Sequence, residues 1–550
     1  MKPTRKWLTP VLSVALSAAL LAGCSGGNNG PAASPGNGEA PSNGEQTGGG
    51  FELGAQPLSF TMYGHYDWYT MPPWGGDEAS AWIKENKKVD IQAIHSGGSA
   101  SQKLNTMIAT GDLPDAIWLE RSQVERLRGA GLLAPLDEYL DKYPNLKEWL
   151  GEENINLLRS EDGHLYQIPN WYTQQPNGNG GYVVNRKIYK ELGEPKLETT
   201  DDLYEYLKQV RDNYPNVVPF EPYLGKDGQG LDVLMTAFRE DDQKYTGLRA
   251  VPKGDQLTSI FEDDIFIEGQ QYVSKLFREK LITQDALTQT VDQVTEKVMT
   301  GRVAVYASAS ATDTPQDAHN ELIKDDPDAG YFMIWPIHKE GLDKDKIFPG
   351  TYTSLGWNVT VITKAAENPE AIFAYYDWLT GPEGQSTIMW GPAGKFWDGM
   401  EEDGRTPKFT EAYVTEAAEL TQLQTSTSNL NWAGNTVYVD RTKAAFEENL
   451  PVEQQNWATR WQREITWKTQ KDATEFINID PQPDSEEGII RQRVEDIFTE
   501  MRAKVLYAKS DEEVIAIIEK AGQDADAAGY DKLLAYRTQK WQENLAAMKG

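Results

Sequence analysis

LNTMIATGDLPDAIW, residues 104–118, reads as a helix that is stopped and turned into a strand. Leu104, Met107 and Ile108 fall on one helical face, Gly111 and Pro114 end the helix, and residues 116–119 form an apolar run of strand length. The same alternation extends on both sides. Upstream, LSFTMY (58–63) and VDIQAI (89–94) alternate as strands around a helical stretch at 78–87. Downstream, Ser122 offers an N-cap and residues 127–136 lead into a polar turn. Strands and helices in such succession are the grammar of an α/β fold, in which ligands collect at the carboxyl ends of parallel strands.

The pattern persists beyond this region. LYQIP (165–169) and GYVVN (181–185) read as strands that cross into a second lobe, and Thr200 is placed to cap a helix over 201–211. VAVYA (303–307), FMIWP (332–336) and WNVTVIT (357–363) are later strands, with a helix over 369–379. Strands reappearing this late imply lobes built from separate chain segments. After Asp484 the periodicity is helical, with Ile489, Ile490, Val494, Ile497 and Phe498 followed by Val514, Ile517 and Ile518.

The first 50 residues belong to a different kind of chain. Lys2, Arg5 and Lys6 precede an apolar run from Trp7 to Ala22 that is short for a bilayer span, and Ala22, Gly23 and Cys24 supply the small residues of a processing site. A Gly-, Pro-, Ser- and Asn-rich tract from Ser25 to Gly50 has no apolar face with which to fold and reads as a stalk. Cys24 is the chain's one cysteine, so no disulfide forms within the chain.

About 500 residues remain, more than one core usually serves, so two domains are expected. The net charge of -31 repels a phosphate backbone, and no Lys/Arg cluster offsets it, so nucleic acid is a poor partner. The 17 Trp and 25 Tyr carry more information. Many lie in polar or glycine-rich stretches: YGHYDWYTMPPWGG (63–76), IPNWYTQQPNGNGGY (168–182), MWGPAGKFWDG (389–399) and NLNWAGN (429–435). Flat rings flanked by amides and carboxylates suit sugars, which offer an apolar C–H face and a rim of hydroxyls. Tyr66, Trp68, Trp118, Trp171, Trp357, Trp390, Trp397 and Trp432 are the candidate ring contacts. Glu120 and Arg121, just past the strand at 116–119, are candidate partners for hydroxyls. An acidic sugar would need a local cluster of cations, for which Arg121, Arg186 and Lys395 are candidates, and the acidic total favours a neutral one.

Catalytic signatures are missing. There is no G-x-S-x-G elbow, no C-x-x-C pair, no GxxxxGK[ST] loop, and the five histidines contain no H-E-x-x-H. No cofactor is expected. With 84 Asp and Glu, paired carboxylates such as Glu262 with Asp264 or Glu401 with Asp403 leave a secreted glycoside hydrolase as the alternative. A purely structural or adhesive surface protein is a third.

LLAGC at 20–24, LNTMIATGDLPDAIW, GYVVNRKIYKELG (181–193), GWNVTVIT (356–363), NPEAIFAYYDWLTGPEGQ (368–385) and WGPAGKFW (390–397) together resemble the extracellular solute-binding lipoproteins of bacterial ABC importers, in their large oligosaccharide-binding group. That resemblance implies a two-lobed, periplasmic-binding-protein-like clamshell, each lobe an α/β sheet flanked by helices, with helical additions at the C-terminus. It implies a receptor, not an enzyme, that takes a sugar between its lobes and hands it to a membrane permease. The division it suggests is a signal peptide over 1–23, a lipidated stalk over 24–50, one lobe from 51–182 and 354–415, and the other from 183–353 and 416–550. Cys24 would carry the acyl chains and tether a monomer to the extracellular face of the cytoplasmic membrane. Some relatives hold calcium in a loop after the helix corresponding to 201–211. Here that segment reads RDNYPNVVPFEP, without the turn glycine and spaced acids of such a loop, so no metal is expected there.

Overall fold

The computed structural model describes residues 50–223, 229–430 and 432–548. The segments expected to be a signal peptide and, apart from Gly50, a stalk, with Cys24 between them, lie outside the described residues. The chain supplies β1 (Leu58–Gly64), β2 (Val89–Ile94), β3 (Ala116–Glu120) and β4 (Gln167–Asn170), then crosses to β5 (Gly181–Asn185) and β6 (Val218–Glu221). A hairpin of β7 (Ala250–Lys253) and β8 (Gln256–Ser259) is followed by β9 (Val303–Ser308) and β10 (Tyr331–Ile334). β11 (Gly350–Tyr352) leads into β12 (Asn358–Ile362); β13 (Trp397–Met400), β14 (Pro407–Phe409) and β15 (Gln470–Asp472) come last.

Two principal sheets result. The first has the order β2-β1-β3-β12-β4 and the second β10-β5-β9-β6. In the first, β1, β2 and β3 are parallel, while β12 returns antiparallel between β3 and β4. This register puts Asn358 opposite both Glu120 and Asn170, and Trp118 opposite Thr360 and Gly64. The ends of β1, β3 and β4 and the start of β12 therefore share one edge of the sheet. A third element, the parallel pair β11 and β15, lies beside the crossings between sheets.

Each sheet buries both faces, as near-continuous apolar strands require. Ile117, Leu119, Val359 and Val361 pack on one side of the first sheet, with Tyr63 and Leu104, while Phe60, Ala116, Trp118, Ile168 and Ile362 pack on the other. The second sheet is sandwiched likewise, and its larger core takes in the helices Asp264–Arg278, Glu486–Leu506, Asp511–Ala527 and Tyr530–Ala547. Among the described residues no helix is long and apolar enough to cross a membrane.

Three local readings change. The cap of the helix Thr200–Asn213 is Thr199, not Thr200, because Thr199 closes a capping box with Asp202. Ser122 does not cap a helix; it sits within a short 3-10 turn, Arg121–Gln123, that leads into the helix Val124–Gly129. Residues 416–447, divided by sequence from the first sheet, pack against it: Leu430, Trp432, Ala433 and Val437 join its core, and Leu420, Leu423 and Tyr438 close on Trp390. Apolar contact with the second sheet resumes only at Trp457.

Candidate functional site

The end of β1 runs directly into the loop that carries Tyr66 and Trp68. Gly64 is required there, since a Cβ would strike the Tyr69 ring at 2.1 Å. The loop folds Tyr66 and Trp68 back over Trp118 at the end of β3, and Trp357, one residue before β12, closes the group. Ring centroids are 4.9 Å apart for Tyr66–Trp118, 5.1 Å for Tyr66–Trp68, 5.5 Å for Tyr66–Trp357 and 6.0 Å for Trp118–Trp357. Tyr66 and Trp118 are 8% and 5% exposed, whereas Trp68 and Trp357 are 59% and 47% exposed. Two buried rings thus form a floor and two open ones cover it.

The turn before β12 is held by several distinct contacts. Arg121 donates from Nη2 to the carbonyls of Leu355 (2.7 Å) and Gly356 (3.3 Å), and Thr353 Oγ1 donates to Gly356 at 2.9 Å. Gly356 adopts φ +69°, and a Cβ there would lie 1.9 Å from the Asn170 carbonyl oxygen, so the close approach of this turn to β4 demands glycine. On the other side of that approach Trp171 takes φ +59°, uncommon for a bulky residue, with its N–H bonded to the Gly434 carbonyl at 2.8 Å. A Cβ on Gly434 would come within 2.9 Å of the Trp171 ring.

Charge in the site follows from crowding. Glu120 is accessible to solvent, yet the protein atoms around it raise its carboxyl above the usual range, against the opposing influence of the Tyr66 hydroxyl and Arg121. Burial pulls the Arg121 guanidinium down to about 10, which leaves it charged at neutral pH. Burial and Glu120 push the Tyr66 phenol well up, so it stays protonated. His65 is lowered by burial and by Arg126, and is neutral at physiological pH.

Of the ten sequence candidates, the structure brings together Tyr66, Trp68, Trp118, Glu120, Arg121 and Trp357, and sets Trp171 beside them across Gly356. Trp390, Trp397 and Trp432 are core residues instead. Trp390 meets Phe409 edge-on at 4.9 Å, Trp397 donates its indole N–H to the Gly391 carbonyl at 2.7 Å, and Trp432 stacks on Trp74 and donates to the Tyr69 hydroxyl at 3.1 Å. The three candidate cations do not converge: Arg186 faces His319 beside the second sheet at 3.2 Å, and Lys395 pairs with Glu416 and Glu419. Sequence reasoning missed Asn170 and Asn358, which lie side by side at the edge of the sheet. The available signal was an amide next to a tryptophan at two strand ends, Asn170–Trp171 and Trp357–Asn358.

The segment after the helix Thr200–Asn213 does not fit a calcium ion. Asp212 is paired with Arg211, and Glu221 is buried against Gln289 and Lys297. Among the described residues no group of three or more His, Cys, Asp or Glu could hold a metal.

A family model for the bacterial extracellular solute-binding proteins matches residues 75–386, more than half of the chain. The chain belongs to this family. No curated protein matches this solute-binding protein. Solved structures do. The alginate-binding protein AlgQ2, solved without calcium ion, shares 16% identity over 89% of this chain and 98% of its own, with a TM-score of 0.66. The ABC-transporter substrate-binding protein FusA of S. pneumoniae, in complex with kestose, shares 17% over 89% and 100%, with a TM-score of 0.65. The N-glycan transport solute-binding protein NgtS of Streptococcus pneumoniae shares 19% over 89% and 99%, at 0.57. These likenesses establish a mixed α/β, periplasmic-binding-protein-like fold for this solute-binding protein, with its helical extension at the C-terminus.

Proposed function

We propose that this solute-binding protein captures an extracellular oligosaccharide on the aromatic group at the edge of its first sheet and passes it to an ABC-transporter permease. The observation that carries the reading is the pair of half-open rings, Trp68 and Trp357, set over Tyr66 and Trp118 with Glu120 and Arg121 at the rim. Open indoles at the carboxyl ends of parallel strands suit the C–H faces of pyranoses, and the charged rim suits their hydroxyls. The names of the similar structures, which include alginate-, kestose- and N-glycan-binding proteins, support a sugar ligand. Glu120 and the dispersal of Arg121, Arg186 and Lys395 favour a neutral sugar over an oligouronate.

In this reading the two sheets head two lobes, the first including 416–447, joined where β4 leads to β5, where β11 leads to β12, and again between 447 and 457. Cys24 carries the acyl chains that hold the protein at the outer face of the cytoplasmic membrane, with 25–50 as the stalk. The test is calorimetric titration with maltotriose, cellotriose, mannotriose, xylotriose and kestose, their shorter and longer homologues, and trigalacturonate and oligoalginate, with product analysis alongside. Stoichiometric binding of an unmodified neutral oligosaccharide is expected. Turnover without saturable binding would establish a glycoside hydrolase, and tightest binding of a uronate would overturn the neutral assignment.

A further inference from the structure

The donor and acceptor ends of two buried amides beside the aromatic group are fixed by a chain of hydrogen bonds that begins at a backbone N–H. Gly434 N–H can only donate, and it donates to Asn170 Oδ1 at 2.5 Å. Asn170 must therefore present Nδ2 on its other side, and this donates to Asn358 Oδ1 at 3.0 Å. Asn358 in turn has its oxygen engaged and its Nδ2 turned away from Asn170. No alternative amide orientation satisfies Gly434, so the polarity is determined by chemistry and not by choice of assignment.

Asn358 is fully buried, yet its Nδ2 makes no well-formed hydrogen bond to the protein, with only the Tyr66 hydroxyl approaching it. The Trp118 indole N–H, on a residue more than nine-tenths buried, has none either, while the Tyr66 hydroxyl lies within reach of both the Asn358 amide and the Glu120 carboxylate without a well-formed hydrogen bond to either. Trp118 and Asn358 share a face of the sheet on adjacent strands, and Trp68 and Trp357 are the open rings above them. A buried donor left without a good acceptor is destabilising, and two such donors beside one aromatic group call for an acceptor that a ligand can bring.

We propose that Asn358 and Trp118 are a donor pair that selects an acceptor oxygen of the bound sugar when Trp68 and Trp357 move aside, and that Asn170 is the positioning residue that holds Asn358 in its donating orientation. This deepens the oligosaccharide reading and rests on it. Both groups present N–H and no lone pair to the site, so they favour a ring, glycosidic or acyl oxygen, while a hydroxyl must serve there as acceptor.

N358D is isosteric and keeps an acceptor for Asn170, but turns the donor into an acceptor and adds a negative charge opposite Glu120. It is expected to weaken the best sugar of the calorimetric panel at least about 30-fold, and more than N358A does, because it replaces an attraction with a repulsion. A residue needed only for packing would give the opposite order, with N358D close to wild type and N358A worse. N170D leaves Gly434 its acceptor and forces the Asn358 amide to turn, so it should weaken binding comparably in the Asn358 background and change nothing further in the N358A background. It also carries the test if N358D fails to fold, as judged by melting temperature and circular dichroism. N358D within about twofold of wild type, or an N170D effect that persists in full in N358A, overturns the inference. A wild-type protein that binds no sugar of the panel instead overturns the oligosaccharide reading and this inference with it.

Discussion

Trp68 and Trp357 stand open above Tyr66 and Trp118, so truncating either removes ring area that a sugar would use and little that the fold uses. W68A and W357A are each expected to weaken binding of the best panel sugar by about 1–2 kcal/mol, roughly five- to thirtyfold, with a small change in melting temperature. W390A should do the reverse. Its ring is sealed against Phe409 and Tyr438, so its loss should cost about 3–5 kcal/mol of unfolding free energy in urea while leaving the affinity of the folded protein unchanged. Equal effects of W357A and W390A on affinity would sink this division. A tryptophan beside glycine and proline reads the same whether it faces a ligand or a core. Trp357 and Trp390 both lie next to a glycine, and what separates them is the hairpin of β13 and β14 and the 416–447 segment, which close over Trp390 alone.

Loops and helices are tied to the second sheet by two polar anchors whose consequences can be measured. Lys297, on the helix Val291–Met299, donates from Nζ to Asp285 Oδ1 at 2.7 Å, Gln289 Oε1 at 2.7 Å and Thr283 Oγ1 at 3.1 Å, and lies 3.6 Å from the carboxylate of buried Glu221 at the end of β6. K297M leaves Glu221 buried without its cation, and a loss of about 3–5 kcal/mol in chemical denaturation is expected. His319, on the helix Asp313–Asp325, accepts at Nδ1 from the Tyr331 N–H at 3.2 Å and lies against Arg186. Burial, with the charges of Arg186 and Arg460 reinforcing it, lowers its pKa to about 4. The folded pKa is below the unfolded value near 6.5, so the unfolded chain binds the proton more readily. The stability this supplies is complete above about pH 6.5 and is lost as pH falls toward 4. H319Q keeps an acceptor for Tyr331 but does not titrate, and its melting temperature should fall less than that of wild type between pH 7.5 and 4.5. Identical slopes would refute the assignment. The helix carrying His319 did not stand out in the sequence, because its inward face is made of Pro315, Ala318, His319 and Leu322, a helical spacing with few large apolar residues to mark it.

For the molecule as a whole, ligand binding should favour a more closed arrangement of the two lobes, to the extent that the closed form adds contacts to the sugar. Small-angle scattering at saturation with the best panel sugar is expected to give a smaller radius of gyration than the same protein without sugar. An unchanged profile would rule out substantial closure. The alternation of β-strands and helices, the strands that end within a residue of Glu120 and Asn170 and the late return of β12 were legible in the sequence. Local hydrophobic period, glycine and proline breaks and strand length are properties of neighbouring residues. The resemblance carried by LNTMIATGDLPDAIW and its companions indicated the family to which the chain belongs. Only the tertiary structure decided that Tyr66, Trp118 and Trp357 meet while Trp390, Trp397 and Trp432 do not, and that 416–447 packs with the first sheet. It alone disclosed the Gly434–Asn170–Asn358 chain, whose two hydrogen bonds join residues 264 and 188 positions apart. Burial and hydrogen-bond polarity depend on which surfaces the remote segments cover, and no pattern in the residues around a single tryptophan or asparagine contains that information.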